Sequence, residues 1–199
     1  MGQGTFWGIA LWSFMVLLGM SSLWNFENTP GRSAESPAHW PSESAIKRSA
    51  DRPTLVTFLH PLCPCSRNSL QELEHIVARL KDTVSYKIVF FSPGSKDDHW
   101  YQGVLWEKTQ SIPFVEAIVD RDGAESKIFR AETSGHTALY GSDGKLLFSG
   151  GVTPSRGHSG DNVGRSSIID IVEGGSSQTN RSFVFGCDIF GSNQKGVAQ

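Results

Sequence analysis

Cysteine is scarce: three in 199 residues. That is too few for a disulfide framework, and the odd number leaves at least one thiol with a role other than stapling. Runs of basic charge are missing as well. No Lys/Arg run exceeds Lys47-Arg48, and 18 basic against 20 acidic residues give a formal net charge of -2, so the electrostatic footprint of a nucleic-acid binder is lacking. There is no internal repeat, and no second closely spaced cysteine pair that would build a four-cysteine zinc site. With 38% hydrophobic residues the chain has enough apolar side chain for one sizeable core, so one domain with appendages is expected rather than two domains.

The longest apolar run lies at the N-terminus. From Phe6 to Trp24, FWGIALWSFMVLLGMSSLW carries no charge over nineteen positions, and Trp7 and Trp24 stand near its ends as in an interfacial aromatic belt. Residues 1–25 are expected to form a transmembrane anchor. A cleaved signal peptide is the competing reading, but MGQGT holds no Lys or Arg and no clear small-x-small site follows the run. Arg32 is the sole basic side chain near either end, so loop charge does not set orientation. Residues 26–52, rich in Pro, Ser, Ala and charge with no apolar period, are expected as a flexible linker.

A folded domain is expected over residues 53–173. Pro53 to His60, PTLVTFLH, has the composition of a buried central strand. Leu70, Leu73, Val77 and Leu80 then follow at spacings of three and four, the stripe of an amphipathic helix over Ser66 to Leu80. Val84 to Ser92 and Phe114 to Val119 read as further strands, with a polar helix between them over Lys96 to Gln110 and one or two helical turns over Ala124 to Ala131. His136 to Tyr140 and Lys145 to Ser149 flank Gly-Ser-Asp-Gly as a hairpin, and Asn162 to Glu173 reads as a final helix. The order is α/β with a terminal antiparallel hairpin, a central mixed sheet flanked by helices. In the tail, residues 174–199, the segment FVFGCDIFG regains apolar character and is expected to dock back with Cys187.

Cys63-Pro64-Cys65 falls between the first strand and the first helix of that domain. A cysteine at a helix N-terminus feels the positive end of the macrodipole and free N–H groups, both of which favour thiolate. Arg67 and His60 stand close in sequence and are candidates to add positive charge or a proton relay. One intervening residue would make a Cys63–Cys65 disulfide a small, strained ring of oxidising or isomerising character. Alternatively, Cys187 resolves the reactive thiol and the first two never pair. Lying among Phe183, Phe185 and Phe190, Cys187 also fits a plain buried apolar role. The same thiols with His60, His136 or His158 suit Cu(I) or zinc, which keeps a metallochaperone or sensor open. In the glycine-rich loop before the last helix, Asp161 or Asn162 is expected as the helix cap, while Arg156 and His158 are second-tier site candidates. Asp120, Asp122 and Asp143 sit in glycine-containing turns and suggest no calcium site.

Taken together, FLHPLCPCSRNSL, TSGHTALYGSDGKLLFSGG, TPSRGHSGDN and FGC resemble the RedB-type proteins of the bacterial thioredoxin-like superfamily over about Pro53 to Phe190. The resemblance implies a thioredoxin-like fold and a thiol–disulfide or related redox role, with Cys63 and Cys65 at the positions of the redox cysteines, one residue apart rather than two. Where thioredoxins place a cis-proline before the hairpin strand, Ser134-Gly135-His136-Thr137 stands here, so His136 is expected beside Cys63. The expected protein is a membrane-anchored thiol–disulfide oxidoreductase without cofactor, on the periplasmic side of a bacterial cytoplasmic membrane. Cys63, Cys65, His136, His60 and Cys187 are its candidate catalytic residues. Its expected clients are protein thiols and disulfides, by class respiratory or cytochrome assembly components. A redox-inactive binding module of the same fold is the remaining alternative.

Overall fold

The computed structural model describes residues 2–32, 35–94, 97 and 99–191. Helix α1, Gln3–Asn28, has 26 residues with none buried and a mean hydropathy of 1.7 over its most apolar window. At about 1.5 Å per residue it is roughly 39 Å long, against about 30 Å for a hydrocarbon core. It is long and apolar enough to cross a membrane, a description that an anchor and a signal sequence both meet.

Five strands form one sheet: β1 Thr54–Leu59, β2 Ser85–Ser92, β3 Val115–Arg121, β4 His136–Tyr140 and β5 Leu146–Gly150. Their order is β3-β2-β1-β4-β5, with β1, β2 and β3 parallel and β4 antiparallel to both β1 and β5. The helices are α2 Pro64–Leu80, α3 Val104–Ser111, α4 Ala124–Ile128 and α5 Val163–Gly174. This is the thioredoxin-like arrangement, a mixed sheet flanked by helices.

The central strand explains its own composition. Leu55 and Leu59 face one side with Leu70, Leu73, Ile76 and Val77 of α2 and Ile168 of α5. Val56 and Phe58 face the other with Val89, Phe129, Ala138 and Tyr140. A strand covered on both faces needs an unbroken apolar run rather than an alternating one. Asn162 caps α5 as expected, its side chain accepting from the Arg165 amide at 2.8 Å.

Two expectations change. Residues 35–52 are not an extended tether but part of the domain. Trp40 packs edge-to-face on Phe129 and Tyr140 at 5.0 and 5.2 Å, and Ile46 is buried. Backbone groups join too: the Tyr140 hydroxyl donates to the Pro37 carbonyl at 3.0 Å and the Leu146 amide to that of Ala38 at 2.9 Å. One aromatic and one aliphatic anchor, six positions apart in Pro/Ser-rich chain, carry no helix or strand period, so a reading by periodicity passes over them. The polar helix is also shorter than expected, beginning only at Val104; Lys96, where it was expected to start, lies outside the described residues.

The tail docks from about Asn180 onward, as far as it is described. Arg181 bridges to Ser149 and Asp188 to Thr133, while Val184 and Ile189 are buried. Residues 192–199 of that tail lie outside the described residues.

Candidate thiol site

The chain leaves β1 at Leu59, turns through His60 to Leu62, and enters α2 with Cys63 as N-cap and Pro64 in the first helical turn. Proline suits that position because its missing N–H would have no helical partner there. The Cys63 backbone is extended (φ -81°, ψ 120°), as N-cap residues usually are. Its sulfur therefore lies at the positive end of a 17-residue helix.

Cys187 is brought there by the docked tail. The Ser134 amide donates to the Cys187 carbonyl and the Ile189 amide to that of Glu132, each at 2.8 Å. Just before them Gly186 passes so close to Ser134 that a Cβ would lie 1.9 Å from the Ser134 carbonyl oxygen. Only glycine allows that approach. The result is a Cys63–Cys187 Sγ–Sγ separation of 2.9 Å, with the Cys187 amide donating to the Cys63 sulfur at 3.4 Å. Closing a disulfide of about 2.05 Å needs only about 0.9 Å of further approach.

The electrostatics make this one thiolate among three sulfurs. Hydrogen bonds from the Cys187 and Cys65 side chains, helped by backbone N–H groups, hold the Cys63 thiol far below its usual range and outweigh burial. Cys187 is driven upward mainly by its hydrogen bond with Cys63 and less by that with Cys65, with burial and the charges of both neighbours acting the same way. At Cys65 the bond with Cys187 pulls down, but the bond to Cys63, burial and the Cys63 charge raise it on balance. The Gly157 amide also reaches Cys65. Cys63 is only 3% exposed, while its two companions are half-buried. Cys63 nonetheless lines an open groove of about 620 Å³ with Leu62, Arg67, Trp100, Tyr101 and Val104.

The thioredoxin cis-proline position is taken by a different device. No described peptide bond is cis. Ser134 Oγ accepts from the His60 amide and hydrogen-bonds Ser66 Oγ, both at 2.8 Å. Gly135 follows at φ 94°, its amide donating to the Phe58 carbonyl. The serine pair thus ties the strand-to-helix turn to the loop before β4, on which the Cys187 segment docks.

The other sequence candidates separate. His60 stays close enough to Cys63 to feel its charge, but burial is the larger effect and lowers the imidazole pKa. Its ring stacks on Phe91 at 5.6 Å and Nδ1 accepts from the Leu62 amide at 3.2 Å. Arg67 is exposed along the groove. His136, on β4, shares the sheet face of Phe58, Ala138 and Tyr140, opposite α2. Its Nε2 hydrogen-bonds Ser36 Oγ at 2.8 Å and Ser149 Oγ at 3.4 Å, so the structure does not bring it to the thiols. His158 Nδ1 turns to the Arg156 carbonyl at 2.8 Å and to Ser155 Oγ. Arg156 has a definite place: its guanidinium donates to the Gly186 carbonyl and, at 3.0 Å, to that of Thr29. Sequence reasoning missed Ser66, Ser134 and Gly186, whose only signal was their nearness to cysteine or to the expected proline position.

Among the described residues no group of three or more His, Cys, Asp or Glu is arranged to hold a metal ion. Two thiolates on tetrahedral zinc, at about 2.3 Å each, stand about 3.8 Å apart, wider than the 2.9 Å between Cys63 and Cys187.

No protein-family model matches the chain, and no curated protein matches it. Solved structures do. A hypothetical protein from Sinorhizobium meliloti 1021 superposes with a TM-score of 0.62 at 13% identity, over 83% of this chain and 100% of that one. An uncharacterized conserved protein from Geobacillus kaustophilus superposes with a TM-score of 0.59 at 18% identity, over 84% and 95%. At such identities the likeness is one of fold. A secreted Mycobacterium tuberculosis disulfide oxidoreductase is matched more loosely, with a TM-score of 0.43 at 13% identity over 63% and 83%, and carries no argument.

Proposed function

We propose that the chain is a thiol–disulfide oxidoreductase of RedB type, anchored by α1 with its domain on the periplasmic side of a bacterial cytoplasmic membrane. It works without cofactor, Cys63 attacking and Cys187 resolving. The observation that carries this reading is the Cys187 sulfur standing 2.9 Å from that of Cys63 at the N-terminus of α2, where the Cys63 pKa is held low. The Cys63 thiolate attacks one sulfur of a client disulfide, forming a mixed disulfide while the client's other sulfur leaves as thiolate. Cys63 then no longer carries the charge that held Cys187 protonated. Cys187 loses its proton and attacks the Cys63 sulfur, and the remaining client sulfur leaves. The products are a reduced client and a Cys63–Cys187 disulfide, and the reverse sequence oxidises a client dithiol.

The groove at Cys63 is the approach for the client sulfur, since the rest of the Cys63 surface is covered. Protein thiols and disulfides at the membrane, by class those of respiratory or cytochrome assembly, fit an anchored site of this kind. Cys65 serves as a hydrogen-bond donor to Cys63. The test is disulfide mapping by mass spectrometry on the full chain in lipid, purified anaerobically and oxidised stepwise, with copper and zinc quantified alongside. A reversible Cys63–Cys187 bond in metal-free protein is expected. Stoichiometric metal with all three thiols protected would overturn the reading in favour of metal delivery.

A further inference from the structure

The peptide unit between Gly186 and Cys187 has a polar partner at each end. Its N–H, that of Cys187, points to the Cys63 sulfur at 3.4 Å. Its C=O, that of Gly186, accepts from the Arg156 guanidinium. A trans peptide directs these two groups in opposite directions, so Arg156 and Cys63 stand on either side of one amide. Arg156 is fixed there by three further contacts. It donates to the Thr29 carbonyl at 3.0 Å, its guanidinium lies 5.2 Å from the centre of the Phe26 ring, and its own amide donates to the Glu27 carbonyl at 2.9 Å. All three partners belong to the end of α1 or the residue that follows it. The next residue, Gly157, supplies the amide that reaches Cys65.

We propose that Arg156 is a positioning residue of the thiol site, polarising the Gly186–Cys187 peptide so that its N–H binds the Cys63 thiolate more strongly, and tying that peptide to the end of α1. The physical basis is cooperativity: an amide whose carbonyl accepts from a cation becomes a better donor at its N–H, by an amount on the order of 10–30% of a hydrogen bond. The forked guanidinium can serve two carbonyls at once, which an ammonium point charge does less well. The groups that act directly on Cys63 are the Cys187 and Cys65 side chains and the backbone amides of those residues. His60 feels the Cys63 charge, and Arg67 lines the same groove. Arg156 acts through the peptide.

This role for Arg156 rests on the thiol–disulfide reading but is measured apart from it. In the full chain in lipid, Cys65→Ala with Cys187→Ala leaves Cys63 as the one thiol and keeps the 186–187 peptide. The rate of iodoacetamide alkylation against pH then gives the Cys63 thiolate midpoint. Adding Arg156→Gln is expected to raise that midpoint by about 0.1 to 0.2 pH unit, roughly 1.3- to 1.6-fold less thiolate on the acid side. Arg156→Lys, which keeps charge and one donor, is expected to raise it by less. A midpoint unchanged by Arg156→Gln in folded protein overturns the proposal. If that variant does not fold, Arg156→Lys decides: a raised midpoint supports the proposal and an unchanged one overturns it. Failure of the wild-type chain to form the Cys63–Cys187 disulfide would remove the oxidoreductase reading, while the midpoint shift would still decide whether Arg156 acts on the Cys63 thiolate.

Discussion

Two small clusters of chemically capable side chains flank the same pair of strands, and they behave in opposite ways. At the C-terminal end of β1, Cys63, Cys65 and Cys187 meet beside a groove, with two of the three half-buried and the Cys63 pKa held well below the usual thiol range. On the far face of β4, His136 meets Ser36 and Ser149, residues of the nucleophile-and-base kind, yet these are 1%, 2% and 8% exposed. No charged group shifts the His136 imidazole; burial alone does, and its Nδ1 has no hydrogen-bond partner among the described residues. The lesson is that residue type is a weak guide to chemistry without access and a stabilised charge. The thiol cluster borders an open groove and has the lowered Cys63 pKa, although Cys63 itself is only 3% exposed; the imidazole cluster instead fastens the segment of residues 35–52 to the sheet.

The sharpest way to break this contrast is to remove one member from each side. Cys63→Ser is expected to abolish both the disulfide with Cys187 and exchange with a model disulfide such as oxidised glutathione, with little change in thermal stability. His136→Ala is expected to do the reverse, lowering the melting temperature while exchange continues in the folded fraction, because a cavity opens in a closed region and Ser36 and Ser149 each lose one hydrogen bond. Should folded His136→Ala lose exchange as well, the imidazole belongs to the redox site and the contrast falls.

A pH titration of stability addresses the same imidazole with a smaller effect. Burial lowers the His136 pKa from 6.5 to about 4. The unfolded chain therefore binds a proton at higher pH than the folded one, so His136 favours the folded state fully above pH 6.5. That contribution is lost as the pH falls from 6.5 toward about 4, and nothing further is lost below. At about 1.4 kcal/mol per pH unit the loss is on the order of 3 kcal/mol. Denaturant midpoints at pH 7, 5.5 and 4.5 in the wild type and in His136→Gln measure it; an equal slope in both would show that the imidazole is not the titrating group.

How far the sequence revealed this follows the same division. β1, α2 and the β4–β5 hairpin were legible because each has a period or a turn signal set by its own neighbours: an apolar run covered on two faces, a stripe at three and four, Gly-Ser-Asp-Gly between two strands. The cysteine-bearing helix start was legible for the same reason. What could not be read depends on distant partners. Trp40 and Ile46 are anchors only because Phe129 and Tyr140 offer a surface. The side to which His136 turns is fixed by its pairing with Phe58, and one residue of register would have sent it to the other face. Nothing local to Cys187 says that 124 positions separate it from the thiol it meets.

The finest distinction lies inside the thiol cluster, where Cys63 has two possible partners. Cys65 is its near neighbour in sequence, yet Cys187 is the stronger stabiliser of the Cys63 thiolate and Cys65 the second. Cys65→Ala removes one donor to that thiolate and leaves the Cys187 sulfur where it is. A hydrogen bond is worth about 1 kcal/mol, somewhat less than one pH unit, so the Cys63 midpoint is expected to rise by less than a unit. Because Cys63 titrates far below its usual range, the thiolate fraction at neutral pH hardly changes, and the effect shows only in acid. Alkylation rates of the reduced variant from pH 1.5 to 5 measure it, and non-reducing peptide mapping of separate, oxidised samples is expected to find the Cys63–Cys187 bond. A variant that alkylates normally but forms no disulfide would reverse the assignment. Cys65 would then be the resolving thiol, and the two cysteines flanking Pro64 would be the working pair despite the short ring.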